Sequence, residues 1–176
     1  MAVLTGCTNG STELQRGMAL RSKLLKAQEV NFTADISADY GDSIQLFSVE
    51  CRTDPQGDMV FCITAPESIS GITGTVSGGE GKILFEDTAL CFGLLTDRQI
   101  NPAGAPWILM KTLRSGYLTS AGMDGDMLRL TIDDSYADDA LQLDIWLDRE
   151  DHPYRAEICC AGRSILTVSV RDFRVV

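Results

Sequence analysis

Six cysteines and one histidine are the residues of this 176-residue chain best suited to chemistry. Cys7, Cys51, Cys62, Cys91, Cys159 and Cys160 form no C-x-x-C pair, and His152 has no second histidine with which to hold a zinc ion. His152 sits before Pro153 and behind the acidic turn Asp148-Arg149-Glu150-Asp151, a setting that suits a solvated loop better than a general base. Ser164 and Ser169 lack a His–Asp relay. The run from Asp133 to Asp139 gathers carboxylates without EF-hand spacing or a closing Glu, and reads as a solvated hairpin loop. Ser77-Gly78-Gly79-Glu80-Gly81 has no Gly-Lys-Ser/Thr ending, so a hairpin turn is expected there and not a phosphate cradle. Cys159 and Cys160 are adjacent on an apolar strand pattern and would face opposite ways, one of them inward. The expectation is a protein that is not an enzyme, with no metal and no cofactor.

The net charge of −10 excludes the basic surface that nucleic acid selects, and it also argues against a polybasic grip on anionic lipid. No run approaches the roughly 18 apolar residues of a membrane helix. At the start of the chain, Leu4-Thr5-Gly6-Cys7 followed by Thr8-Asn9-Gly10 resembles the lipobox of bacterial lipoproteins. That resemblance implies cleavage before Cys7, lipid on its thiol, and an extracytoplasmic protein anchored to the cell membrane. Each buried CH2 of such an anchor contributes roughly 0.8 kcal/mol, and two acyl chains hold stably where one does not. Residues 1–10 therefore read as signal remnant, lipobox and tether, and 11–176 as a single domain.

From Ser11, a cap candidate, to about Gln28 the apolar spacing is helical. Leu14, Met18 and Leu25 share a face with Leu24 beside them, Arg21 interrupts it, and Gly17 weakens the helix. The period then becomes two. Phe32, Ala34, Ile36, Ala38 and Tyr40 alternate with polar residues, and strand patterns recur at 44–51, 59–64, 69–77, 82–86 and 89–95. Asn101 to Pro106 breaks the pattern and leads into a short helix from Trp107 to Ser115, with Gly116 as its C-terminal cap. Four more strands follow, at 127–132, 141–147, 154–160 and 164–174. The prediction is a mainly β fold with two helices: about ten strands in serial hairpin order, one face apolar. Leu128, Leu130, Ile132, Leu141, Leu143, Ile145 and Leu147 should share that face. If Gln56-Gly57 is a two-residue hairpin loop, Cys51 opposes Cys62, which makes them the best disulfide candidates.

This order of elements resembles the LolA/LolB/LppX-like lipoprotein-carrier superfamily over residues 11–176. Its carriers are the N-terminal helix, the strand entered directly from it, the serial hairpins, the helical insertion at 102–115 and the closing Val170-Arg171-Asp172-Phe173. Ala65-Pro66-Glu67-Ser68-Ile69-Ser70-Gly71-Ile72 is similar to a turn of sporulating Gram-positive members. The resemblance implies a curved antiparallel half-barrel with helices on its concave side. It also implies a lipid or acyl chain bound without catalysis on the concave apolar face; by their alternation the seven residues just named, with Trp107 and Met110 of the short helix, are the candidates there, as the lining and plug of a cavity or as packed core. Some members instead dock on an envelope or spore-cortex enzyme, and both partner classes stay open. Given a complete signal, Cys7→Ser should release the protein from membranes, as fractionation of the host would show. Undiminished membrane retention of the serine variant would refute the lipobox.

Overall fold

The computed structural model describes residues 9–85, 88–96, 99–137, 140–160 and 162–176. Cys7 and the rest of the lipobox lie outside the described residues, as do Asp138 and Asp139. Helix α1 runs Asn9–Lys26. Strands β1 (Val30–Asp39), β2 (Ile44–Thr53), β3 (Met59–Ala65), β4 (Thr73–Ser77), β5 (Glu80–Phe85) and β6 (Thr88–Gly93) follow as successive hairpins. A small ladder, β7 (Leu95–Thr96) with β8 (Gln99–Ile100), leads through a 3-10 turn into helix α2 (Ala105–Ser115). Strands β9 (Tyr117–Asp124), β10 (Met127–Asp133), β11 (Gln142–Leu147), β12 (Pro153–Cys160) and β13 (Arg163–Val175) complete the chain.

Eleven strands form one unclosed antiparallel sheet, ordered β6-β5-β4-β3-β2-β1-β13-β12-β11-β10-β9. It is the curved half-barrel that the hairpin order predicted. The first and last strands pair in the middle of the sheet, from Val30 opposite Val175 to Ala38 opposite Leu166. Its two edges, β6 and β9, are joined by the segment that carries α2, so α2 must cross the concave side.

Of the eleven strands of this sheet, β9 is the one that the sequence reading missed. As an edge strand it alternates in neither burial nor polarity, so no period of two marks it. The core lies where the period was clearest. On β1, Val30, Phe32, Ala34, Ile36 and Ala38 are buried, and on β10 and β11 the pairs Leu128–Leu147, Leu130–Ile145 and Ile132–Leu143 are buried across from one another.

The face of α1 is a correction. Gly17, Leu20, Leu24 and Ala27 turn inward, whereas Leu14, Met18 and Leu25 are exposed. The sequence reading counted Gly17 against the helix. It is instead what allows close approach: a Cβ there would lie 3.0 Å from Leu130 Cδ2 and 3.4 Å from Leu118 Cδ2. Ser11 lies inside the helix and not at its cap, since α1 begins at Asn9. Gly116 ends α2 as expected, but with extended backbone (φ −70°) and not in the left-handed region. Glycine is required for space, because a Cβ would sit 2.6 Å from Ile132 Cγ2 and 2.9 Å from the Asp133 carbonyl oxygen.

The Cys51–Cys62 pairing is a second correction. The last pair of the β2–β3 hairpin is Thr53 with Met59, so the loop holds five residues and not two. Asp54 organises it, its Oδ1 accepting from the amides of Gly57 (2.8 Å) and Asp58 (2.9 Å). The register moves by one residue and a face is exchanged. Cys51 opposes Phe61 in the core, Cys62 opposes Glu50 on the other face, and both thiols are free. Burial pushes the Cys51 thiol well above its ordinary range, so it stays protonated and inert. Of the vicinal pair, Cys160 packs against the core as expected, and Cys159 lies beside Ser164 in the β12–β13 ladder.

The seven residues expected to line an apolar cavity are buried to between 0 and 6% exposure and pack as core. Leu143→Glu should therefore cost about 4 kcal/mol or more, enough to unfold a domain of ordinary stability. A folded variant with a near wild-type melt would show that water reaches that side of the sheet.

Candidate binding cleft at the mouth of the sheet

Helix α2 owes its position to two side chains two turns apart. Trp107 Nε1 donates to the Gly57 carbonyl at 2.9 Å, and Arg114 Nη1 donates to the Asp54 carbonyl at 3.0 Å. Both bonds reach the five-residue β2–β3 loop. Arg114 Nη2 also donates to the Leu24 carbonyl near the C-terminus of α1 at 3.1 Å, where a cation complements the helix dipole. From the other side, Arg21 Nε of α1 donates to the Leu113 carbonyl at 2.8 Å. Burial pulls the Arg114 guanidinium below its ordinary pKa, and the charge of nearby Asp54 opposes that shift. Arg114 is only 9% exposed, so its carbonyl partners hold a charge that would otherwise be costly to bury.

Helix α2 held in this way bounds one wall of a cleft of about 590 Å3. The opposite wall is Gly78, Gly79 and Glu80 of the β4–β5 turn with Gly93 at the end of β6, and Asp134 and Leu141 close the far side. Leu94, Trp107, Ile108 and Leu141 supply the apolar lining, and Lys111 stands within it, its Nζ 4.0 Å from Asp134 Oδ2. Asp134 in turn accepts from the Leu141 amide through Oδ1 at 2.8 Å, which makes it the organiser of the β10–β11 connection. The glycine-rich turn forms the β4–β5 hairpin, with Gly78 (φ 60°) and Gly79 (φ 90°) at its corner.

Of the nine apolar residues singled out from the sequence, only Trp107 and Leu141 line this cleft. Leu128, Leu130, Ile132, Leu143, Ile145, Leu147 and Met110 are packed beneath it. Leu94, Lys111 and Arg114 were not singled out. Arg114 had a legible signal, a basic residue in the last turn of a helix. Leu94 and Lys111 had none, because only the curl of the sheet brings β6 and β11 to the same helix. The remaining motifs are structural. The Asp148 carboxylate accepts from the amides of Glu150 and His152, at 2.9 Å each, and the His152 ring packs against Phe173 with centroids 5.7 Å apart. Among the described residues no group of His, Cys, Asp and Glu is arranged to hold a metal ion.

A depression of about 490 Å3 on the sheet surface takes in Glu50, Arg52, Asp172 and Arg174. It also takes in Phe32, Val60, Phe61 and Cys62, so its lining, like that of the cleft, is part apolar and part charged.

No family model and no curated protein matches this chain. Among solved structures it is similar to a LolA superfamily protein from Nitrosomonas europaea, at 11% identity over 91% of this chain and 93% of that one, TM-score 0.48. It is similar to lipoprotein LppX from Mycobacterium tuberculosis, at 11% identity over 92% and 93%, TM-score 0.43. LprF from Mycobacterium bovis gives 9% identity over 93% of each chain, TM-score 0.44.

Arg114→Met removes the donor to two carbonyls while keeping most of the side-chain volume. It should lower stability by about 1–3 kcal/mol in a urea titration. A variant as stable as wild type would mean that α2 does not depend on Arg114 for its position.

Proposed function

We propose that this protein is a non-catalytic binding protein. It takes the acyl chain of a lipid into the cleft beside α2, and acts outside the cytoplasm while anchored to the cell membrane through lipidated Cys7. One observation carries the reading: the cleft joins an apolar lining of Leu94, Trp107, Ile108 and Leu141 to one cation, Lys111, within about 590 Å3. Apolar walls favour a hydrocarbon chain by about 25 cal/mol per Å2 of area removed from water. Lys111, with Asp134 as its ion-pair partner and Glu80 on the same rim, supplies the polar end that orients a head group. The extracytoplasmic and membrane-anchored parts rest on Leu4-Thr5-Gly6-Cys7.

A second reading is favoured by the edge of the sheet. Strand β6, Thr88-Ala89-Leu90-Cys91-Phe92-Gly93, carries no charged residue, and Leu84, Phe85 and Leu90 around it are exposed. Edge strands are usually guarded by charge, proline or a covering element. An unguarded one accepts a strand from a partner polypeptide, which fits docking on an envelope or spore-cortex enzyme.

Trp146 lies on β11 and not in the cleft, so Trp146→Phe leaves Trp107 as the only tryptophan and a reporter of the site. A brominated fatty acid should quench it saturably, and Lys111→Glu should weaken the titration. An unquenched Trp107 would overturn the acyl-chain reading and leave the strand edge as the site.

A further inference from the structure

The exposed side of α1 carries an apolar stripe that the fold leaves uncovered. Leu14, Met18 and Leu25 are 43%, 47% and 62% exposed. At 100° per residue they fall within about 40° of arc and run roughly 16 Å along the helix. Their inward counterparts, Gly17, Leu20, Leu24 and Ala27, already satisfy the core, so the stripe is surplus to folding.

Three observations say what covers it. The first is charge: within a chain of net −10, α1 carries Arg16, Arg21, Lys23 and Lys26 against Glu13 alone. Arg16 is paired with Asp151 at 2.6 Å and Arg21 is tied to the Leu113 carbonyl, while Lys23 and Lys26 have no ion-pair partner among the described residues. The second is the tether. Cys7 lies two positions before Asn9, where α1 starts, and two chain steps span at most about 7 Å. A lipid on Cys7 therefore brings the first turn of α1 to the bilayer surface. The third is direction, since a stripe that continues to Leu25 is used only if the helix lies flat.

We propose that the outward face of α1 is a membrane-contact surface: Leu14, Met18 and Leu25 enter the interface of a phospholipid bilayer, and Lys26, on the flank of the stripe, reaches its headgroups, whereas Lys23 lies on the far side of the helix. The proposal rests on the anchored reading of Cys7 for its geometry, but not on the cleft. A protein so held keeps one fixed side to the membrane.

The test is co-sedimentation of the full unlipidated chain with vesicles of phosphatidylcholine, alone and mixed equally with phosphatidylglycerol. Wild type should bind, and L14S/M18S/L25S should bind at least about tenfold more weakly with an unchanged melt, because its side chains are exposed. K26E should lose more on the mixed vesicles than on phosphatidylcholine alone, whereas K23E, on the far side of the helix, should bind both as wild type does. Equal binding by the triple variant overturns the proposal. So does a wild type that ignores vesicles, including one that is dimeric in solution and made monomeric by the same substitutions, since a second copy would then cover the stripe. Trp107 quenching, read on the same samples, separates the two readings. Vesicle binding without quenching removes the cleft and keeps this face, and quenching without vesicle binding does the reverse.

Discussion

An eleven-stranded sheet with one apolar face and only two helices to cover it is the constraint on which the rest of this structure depends. Leaving that face in water would forfeit about 1.5–3 kcal/mol for each large side chain. Two features answer the constraint together. The sheet curls, so that its two arms share the same interior. The link between its outermost strands is routed across the concave side, so that α2 fills what the curl leaves open. The chain's connectivity makes the second feature unavoidable: β6 and β9 are opposite edges of the sheet, and α2 lies on the path between them.

Polar chemistry sets where that crossing stops. Trp107 and Arg114 both hold the β2–β3 loop, and that loop exists because Asp54 collects its amides. A side chain of one hairpin thus decides the position of a helix that arrives some fifty residues later. The cleft beside α2 follows from this placement, since one wall comes from the successive hairpins β4–β5–β6 and the other side from the β10–β11 connection, far away in sequence. On the opposite face, Arg129 and Arg155 lie over Trp146 at 5.3 and 5.5 Å, and Asp144 accepts from Arg129 and Thr131. Asp144 is itself 8% exposed, so these two donors satisfy a carboxylate that would otherwise be costly to bury.

Legibility tracked burial. Strands with one wet and one dry face announced themselves: β1, β10 and β11 were readable to within two residues, and the leucines of β10 and β11 share the face that alternation assigned to them. What failed were elements whose environment is not two-sided. Strand β9 is an exposed edge. Helix α1 has apolar residues on both its inward and outward sides, and the run Leu14, Met18, Leu25 was as regular as Gly17, Leu20, Leu24, Ala27. Periodicity alone cannot rank two such stripes, because it records which residues are apolar and not which surface is already occupied.

Local alternation of polarity and turn residues were enough, in the sequence itself, for an antiparallel curl of serial hairpins with two helices. Tertiary structure alone decided the rest. Register is one case: a loop of five residues instead of two sends Cys51 and Cys62 to opposite faces, and loop length is set by side-chain bonds that spacing does not display. The cleft is the other. Seven leucines and isoleucines on one face are compatible with a cavity or with a packed core, and the choice depends on how far the sheet closes and where α2 is pinned. Those are sums over contacts distant in the chain, and no local pattern carries them.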